Sequence, residues 1–153
     1  MIHAMPLAVP QFASLDALPL QVWTARPDGT LDFVNAFVAT YFGVMAERVL
    51  EHGWKDLCHP FDLSSATQRW ASSLVSGDSY EVHFRLLRSQ DRQFRWHVGR
   101  AEAVRSDAGD IVGWIGSNTD VDEVRRAAEV AHAHAIQLRH ELDVALNQKD
   151  AKS

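Results

Sequence analysis

One cysteine and several histidines are the side chains best suited to chemistry in this chain. Cys58 and His59 are adjacent, while His83 and His97 lie further along the sequence. Adjacent residues have poor geometry for joint coordination of one metal ion, and no second cysteine–histidine pair follows at the spacing of a zinc finger. The sequence therefore predicts no metal site.

Patterns typical of enzymes do not stand out in the sequence. We find no Ser-His-Asp order, no glycine-rich phosphate loop and no pair of carboxylates at a catalytic spacing. We therefore expect that this chain is not itself an enzyme.

The composition limits the partners and the compartment. The chain has 153 residues, a formal net charge of -5 and one cysteine. This charge gives no basic surface for nucleic acid, and the longest apolar runs are too short to cross a bilayer. A lone cysteine cannot form an internal disulfide, which agrees with a reducing compartment. We expect a cytoplasmic protein that binds neither nucleic acid nor membrane.

The elements that must position these residues follow from apolar spacing and turn residues. Two β-rich segments flank the turn Pro27-Asp28-Gly29-Thr30, which predicts a hairpin. Residues 35–77 have helical spacing, with the longest helix predicted at Asp62–Val75. Alternation of period two predicts three later strands, in which Phe94, Trp96 and Val98 face the core while His83 and His97 face solvent. This order predicts an α+β fold with a five-stranded antiparallel sheet, short helices between strands two and three, and a long C-terminal helix.

The C-terminal segment has the pattern of a coiled coil. Apolar residues recur every three or four positions for more than three heptads. The predicted dimer seam contains Val124, Ala128, Ala131, Ala135, Leu138 and Leu142. Asp120 is expected to cap this helix, with Glu123 three residues later as in a capping box. We predict a leader at residues 1–13, a domain at 14–119, and a signalling helix at 120–153 that forms a homodimer.

Several short segments match a known family in order and spacing. They are Val22-Trp23-Thr24-Ala25-Arg26-Pro27-Asp28-Gly29, Phe33-Val34-Asn35, Tyr41-Phe42-Gly43, Gly53-Trp54-Lys55-Asp56-Leu57-Cys58-His59-Pro60, Phe94-Arg95-Trp96 and Gly116-Ser117-Asn118-Thr119-Asp120. Over about residues 14–123 the chain resembles the PAS family, including its PAC region. The resemblance implies the PAS fold and a sensory role. Asp91-Arg92 departs from the family, in which many members carry Asp-Gly.

The resemblance also implies a pocket, a relay and a parent protein. Candidate ligand-binding residues are Cys58, His59, Trp70, His83 and Trp96, and the relay to the C-terminal helix would pass through Thr119 and Asp120. Cys58 and His83 replace residues that are usual in the family, which points to an unusual ligand. Residues 141–150 resemble the helix that precedes the acceptor histidine in HWE-type sensor histidine kinases, so the chain is expected to be the sensory part of such a kinase with a C-terminal output domain.

Haem and covalent flavin are not expected as cofactors, and the sequence identifies no other. Haem needs an axial ligand, usually histidine, and the predicted helix 62–75 contains none. A flavin adduct needs an Asn-Cys-Arg-Phe-Leu-like motif, whereas Cys58 lies in Asp56-Leu57-Cys58-His59-Pro60.

Three functions stay open at this point. The first is a signal-input module that binds a small ligand or a partner. The second is a PAS dimerisation domain without a ligand, which predicts a filled core. The third is a small α+β enzyme of the cone-shaped isomerase type, which predicts a deep pocket that holds an ionisable pair with displaced pKa values.

Overall fold

The computed structural model describes residues 14–153, so the predicted leader at residues 1–13 lies outside the described residues. The strands and helices follow one another in the predicted order. Their bounds are β1 Gln21–Ala25, β2 Leu31–Val34, α1 Ala36–Phe42, α2 Ala46–His52, a 3-10 turn Lys55–Leu57, α3 Pro60–Ser76, β3 Tyr80–Arg88, β4 Gln93–Arg105, β5 Ile111–Asp120 and α4 Asp122–Ala151.

The strands of residues 14–153 form an antiparallel sheet in the order β2-β1-β5-β4-β3. Its first hairpin is closed by a hydrogen bond from Arg26 N to Thr30 O at 2.8 Å. Gly29 in this turn has φ 92°, a conformation that favours glycine because it has no Cβ. The predicted α+β fold, with short helices between β2 and β3 and a long C-terminal helix, is confirmed.

Asn35 joins the first hairpin to α1. Its side chain is fully buried and caps α1 by accepting a hydrogen bond from Val38 N at 3.2 Å. The same oxygen accepts from Val22 N, and the amide nitrogen donates to Leu20 O at 2.7 Å. A buried amide is stable only when its polar atoms are satisfied, so Asn35 fixes the start of α1 against β1.

Helix α3 is fixed to the edge strand β3 at its first turn. His59 caps the helix by accepting from Phe61 N at 3.1 Å, and Pro60 occupies the first helical position, which lacks an intrahelical partner for N–H. The Asp62 carboxylate accepts hydrogen bonds from the Arg85 guanidinium at 2.8 and 2.9 Å and from Arg85 N at 2.9 Å. Such a two-pronged, charge-assisted pair fixes both distance and orientation.

The turn between β3 and β4 contains a residue in an unusual conformation. Arg92 has φ 55°, and it stands at the position where the sequence departs from the Asp-Gly of many PAS relatives. The left-handed region is disfavoured for residues with a Cβ. Asp91 beside it accepts hydrogen bonds from Arg88 and from Gln93 N, which holds the turn closed.

Strand β4 presents the opposite face to the core from the one predicted. Its pairing with β3 aligns His97 with the buried Phe84 and Arg95 with the buried Leu86. His97 is 0% exposed, and its Nδ1 lies 2.7 Å from Arg95 O while its Nε2 lies 3.2 Å from Gln21 Nε2. The prediction that His97 faces solvent was wrong, because buried polar partners compensate its burial. His83 is exposed, as predicted.

The C-terminal helix forms a compact unit of its own, Val121–Ser153, and the other unit ends at Asp120. α4 has 30 residues, which gives a length of about 45 Å. Its N-cap is Val121, whose side chain makes no capping bond. The prediction that Asp120 caps this helix was therefore wrong: Asp120 still belongs to β5, and Tyr41 and Arg95 donate to its carboxylate.

Candidate functional site

An apolar cavity of about 50 Å³ lies between the sheet and the helices that precede β3. Aromatic and aliphatic side chains form most of its wall. The lining residues are Trp23, Leu31, Val34, Val38, Phe42, Val49, Trp54, Leu57, Trp70, Tyr80, Phe84, Leu86 and Asn118. A mostly apolar wall with a few polar groups is the lining typical of small-molecule sites, and this volume suits only a very small molecule.

A glycine on β5 makes room for the tryptophan that lies across the sheet. A Cβ at Gly116 would stand 2.3 to 2.7 Å from ring atoms of Trp23, so any larger residue would displace the indole. In this position Trp23 Nε1 donates to Asn118 Oδ1 at 3.4 Å. The space at Gly116 therefore lets the Trp23 indole lie at the cavity wall, next to the side-chain amide of Asn118.

Trp70 on α3 is the centre of an aromatic cluster. Its ring lies 5.6 Å from Trp23, 4.9 Å from Tyr80 and 5.2 Å from Trp114, each in an edge-to-face arrangement. This geometry is favourable between aromatic rings because positive edges meet negative faces. The cluster joins α3 to strands β1, β3 and β5 and fixes one wall of the cavity.

The electrostatics of the cavity are those of a neutral site. Tyr80 is the ionisable residue among the described residues that line it. Burial raises the pKa of the Tyr80 hydroxyl well above its usual range, because desolvation disfavours the phenolate. The hydroxyl is therefore protonated at neutral pH.

A second group of polar residues lies where β5 ends. Tyr41 Oη donates to Asp120 Oδ2 at 2.6 Å, and Arg95 Nε donates to the same oxygen at 2.6 Å. The Tyr41 ring also contacts His97 edge to face at 5.3 Å. Burial and the neighbouring Asp120 carboxylate both raise the pKa of Tyr41, so this hydroxyl stays a donor. These contacts connect α1, β4 and the last residue of β5.

Of the predicted ligand-binding residues, Trp70 lines the cavity, while Cys58, His59, His83 and Trp96 do not. Cys58 is buried in the core, where desolvation raises the pKa of its thiol to about 11. His59 serves as the cap of α3. Trp96 lies on the opposite face of the sheet, with the Arg85 guanidinium 5.0 Å from its ring centre.

Several residues at these sites were not predicted from the sequence. Asn118 and Tyr80 supply polar groups to the cavity, and Tyr41 and Arg95 bind Asp120. Two glycines could have indicated that Asn118 lines the cavity. They are Gly99 and Gly116, which lie on the inner face of neighbouring strands and leave space beside the Asn118 side chain.

The described residues hold no group of three or more histidine, cysteine or acidic side chains placed to bind a metal ion. Within residues 14–153, no helix has the length and apolar character needed to span a membrane.

Comparisons with known proteins agree with this geometry. The uncharacterized protein y4lL of Sinorhizobium fredii is 34% identical over 82% of this chain and 15% of its own length. The peroxide stress-activated histidine kinase mak1 of Schizosaccharomyces pombe is 29% identical over 91% of this chain and 8% of the kinase. The chain thus spans a small part of the curated relatives it matches.

A solved structure shares the fold. It is a sensory box histidine kinase/response regulator from Burkholderia thailandensis, with a TM-score of 0.60 at 20% identity over 84% of this chain and 96% of that one. The sequence profile of the PAS fold family matches residues 31–118, more than half of the chain. The predicted resemblance is confirmed, and this chain belongs to the PAS family.

Proposed function

We propose that this PAS domain is a signal-input module in which a small molecule occupies the cavity and its presence is passed through the end of β5 to α4. The observation that carries this proposal is the double role of α1. Phe42 at the end of α1 lines the cavity, and Tyr41 beside it binds Asp120, the last residue of β5.

This arrangement supports a mechanical link. A ligand that fills the cavity pushes on Phe42, and adjacent residues of one helical turn move together. The Tyr41 hydroxyl then shifts relative to Asp120, where Arg95 shares the same carboxylate oxygen. The proposed relay therefore ends at Thr119 and Asp120, directly before the chain enters α4. Coupling of this kind requires an element with two arrangements, and we propose that the Asp120 carboxylate, which Tyr41 and Arg95 share, is that element.

The C-terminal helix supports a homodimer as the output. On α4, Val124 is 73% exposed, Leu138 52% and Leu142 58%. The predicted seam consists of these three side chains and of Ala128, Ala131 and Ala135. A second copy of α4 would bury them. Such a pair of helices transmits rotation or sliding to whatever follows.

The relatives support a parent protein with a kinase output. Two of them are named as histidine kinases, and this chain covers 8% of mak1 and 96% of the Burkholderia structure. We propose that the chain is the sensory part of a sensor histidine kinase, which agrees with the resemblance of residues 141–150 to HWE-type kinases. The thiol of Cys58 does not support peroxide sensing here, because its raised pKa keeps it protonated and it is buried.

The two alternatives have less support. A dimerisation domain without a ligand predicts a filled core, whereas the core has a cavity of about 50 Å³. An isomerase-like enzyme predicts an ionisable pair in the pocket, and Tyr80 stands there without an ionisable partner among the described lining residues.

Native mass spectrometry of freshly purified protein, with an absorption spectrum, tests ligand binding. We expect no Soret or flavin band above ~300 nm, since neither cofactor has its ligand set. A ligand small enough for the cavity binds weakly, so we expect its added mass only when it is supplied in excess. A coloured cofactor that survives gel filtration would contradict the proposal for the cavity.

Light scattering tests the dimer. We expect a dimer at ~100 µM, a concentration above the dissociation constants of modest complexes. Leu138→Glu with Leu142→Glu should give a monomer, because both charges fall on the seam. Ala133→Glu is the matched control on the opposite face of α4 and should leave the dimer intact. A wild-type monomer at this concentration would exclude α4 as the dimer element.

A further inference from the structure

We infer that the cavity takes a small neutral molecule that presents one hydrogen-bond acceptor oxygen, such as a ketone or an aldehyde. This inference rests on the proposed function and specifies its ligand.

The wall excludes charged molecules. Its described lining residues include no lysine, arginine, histidine, aspartate or glutamate, and most are aromatic or aliphatic. A carboxylate or ammonium group would lose its hydration in the cavity without gaining an opposite charge, which is strongly unfavourable. The ligand is therefore uncharged.

Asn118 sets the polarity of the ligand. Trp23 Nε1 carries a hydrogen and only donates, so the Asn118 atom that faces it at 3.4 Å is Oδ1. With its oxygen engaged, Asn118 has only its amide N–H groups left, and these make no hydrogen bond to any residue in the range 14–153. Tyr80 Oη likewise has no hydrogen-bond partner within this range, and its protonated hydroxyl can donate to a ligand as well as accept. A wall with unpaired donors is complementary to an acceptor oxygen.

The volume limits the size of the ligand. A buried water needs at least ~10–15 Å³ of a cavity, so about 50 Å³ has room for roughly four heavy atoms. Larger molecules would have to displace Trp23 or Trp70, whose positions are fixed by Gly116 and by the aromatic cluster. A compact, branched molecule is the best fit.

Three molecules with the same branched arrangement of four heavy atoms separate these requirements. Acetone is neutral and carries an acceptor oxygen, isobutene lacks the oxygen, and acetate carries a charge. Each is titrated into the full ¹⁵N-labelled chain, and the indole N–H signals of the cavity tryptophans and the amide signals of Asn118 are followed by NMR. We expect saturable shifts with acetone in the millimolar range, as is usual for so few atoms. Acetone should also move the side-chain amide signals of Asn118, whereas isobutene, which cannot accept a hydrogen bond, should move only the indole signals. Acetate should give no cavity shifts.

A variant of the amide assigns the effect to Asn118. Asn118→Leu keeps a side chain of similar size and removes the donor, so acetone should bind the variant about fivefold more weakly than it binds the wild type, while the affinity for isobutene should not fall. If isobutene moves the Asn118 amide signals of the wild type as acetone does, or if acetate binds in the cavity, the inferred ligand class is wrong while the cavity remains a ligand site. If none of the three molecules shifts the cavity signals, both the ligand class and the proposed ligand-binding function are contradicted. The wild-type series decides between these outcomes even if the variant fails to fold.

Discussion

Tyr41 on α1 and Asp120 at the end of β5 are joined by a hydrogen bond of 2.6 Å from the tyrosine hydroxyl to Oδ2. The two residues are 79 positions apart in the chain, so the bond connects a helix from the first half of the domain to the last residue of the sheet. Arg95 binds the same oxygen, so Asp120 keeps a partner when the tyrosine hydroxyl is removed.

Tyr41→Phe should lower the free energy of unfolding by about 1 kcal/mol, because it removes a hydrogen bond to a charged group that retains another donor. Urea denaturation would report this as a lower midpoint with an unchanged slope. Tyr80→Phe is the matched control, since the Tyr80 hydroxyl makes no hydrogen bond to a residue in the described part of the chain. Equal losses in the two variants would show that the bond to Asp120 contributes nothing specific.

The pair between Asp62 and Arg85 predicts a pH dependence of stability. Hydrogen bonds from the Arg85 side chain lower the pKa of Asp62 below its usual value, so the folded state favours the carboxylate. A lowered pKa contributes stability that is fully present above the unfolded pKa of about 4 and is lost as the pH falls below it. Asp62→Asn should therefore lower the urea midpoint at pH 7, and the difference from wild type should shrink below about pH 4.

The pair between Glu81 and Arg100 is the control for this experiment. Arg100 Nε lies 2.8 Å from Glu81 Oε1, a distance like that in the Asp62–Arg85 pair, but both side chains are more than half exposed. Solvent screens such pairs, so Glu81→Gln should shift the midpoint less than Asp62→Asn. A pH-independent loss in Asp62→Asn would indicate that the residue contributes through packing instead of through its charge.

The Cys58 thiol should react slowly with thiol reagents. Burial raises its pKa to about 11, so at pH 8 the thiolate fraction is at least about a hundredfold lower than that of a cysteine with a pKa near 8.5. Reaction with Ellman's reagent at pH 8 should be slow in the native protein, and unfolding in guanidinium should restore the ordinary rate. A native rate close to the unfolded one would contradict this environment for Cys58.

Arg92→Gly should stabilise the domain. Arg92 has φ 55°, and glycine adopts this conformation without the steric cost of a Cβ. We expect a gain of ~0.5–1 kcal/mol after the greater flexibility of glycine in the unfolded chain is counted. Gln90→Gly in the same turn is the control, and it should be destabilising because Gln90 does not have positive φ. A gain in both variants would point to general loop flexibility.

The sequence was sufficient for the order of elements because turns and periods are local signals. Gly43, Gly53 and Gly77 end helices close to where the pattern places them, and all three have positive φ. The choice of which face of β4 points to the core does not depend on a local signal. Its largest apolar residue, Trp96, lies on the outer face under Arg85, while the buried His97 depends on Gln21 from β1, 76 residues away. Only the pairing of β4 with β3 determines which face is inside.

The candidate site was less predictable for a similar reason. Trp70 was found because it lies on a helix face with regular spacing. Asn118 and Trp23 come together only when β1 pairs with β5, and their hydrogen bond is not visible in either segment alone. His83 and Trp96 are suited to ligand binding by residue type, but alternation along their strands directs them away from the cavity.

The cluster around Trp70 also gives the domain an optical property. Trp23 and Trp114 lie 5.6 and 5.2 Å from Trp70, distances at which excited indoles exchange energy much faster than they emit. Light absorbed by any of the three is therefore shared, and Trp23 and Trp70 also form part of the cavity wall. A molecule that enters the cavity would change the emission of all three rings at once, so the protein carries its own fluorescent reporter of occupancy.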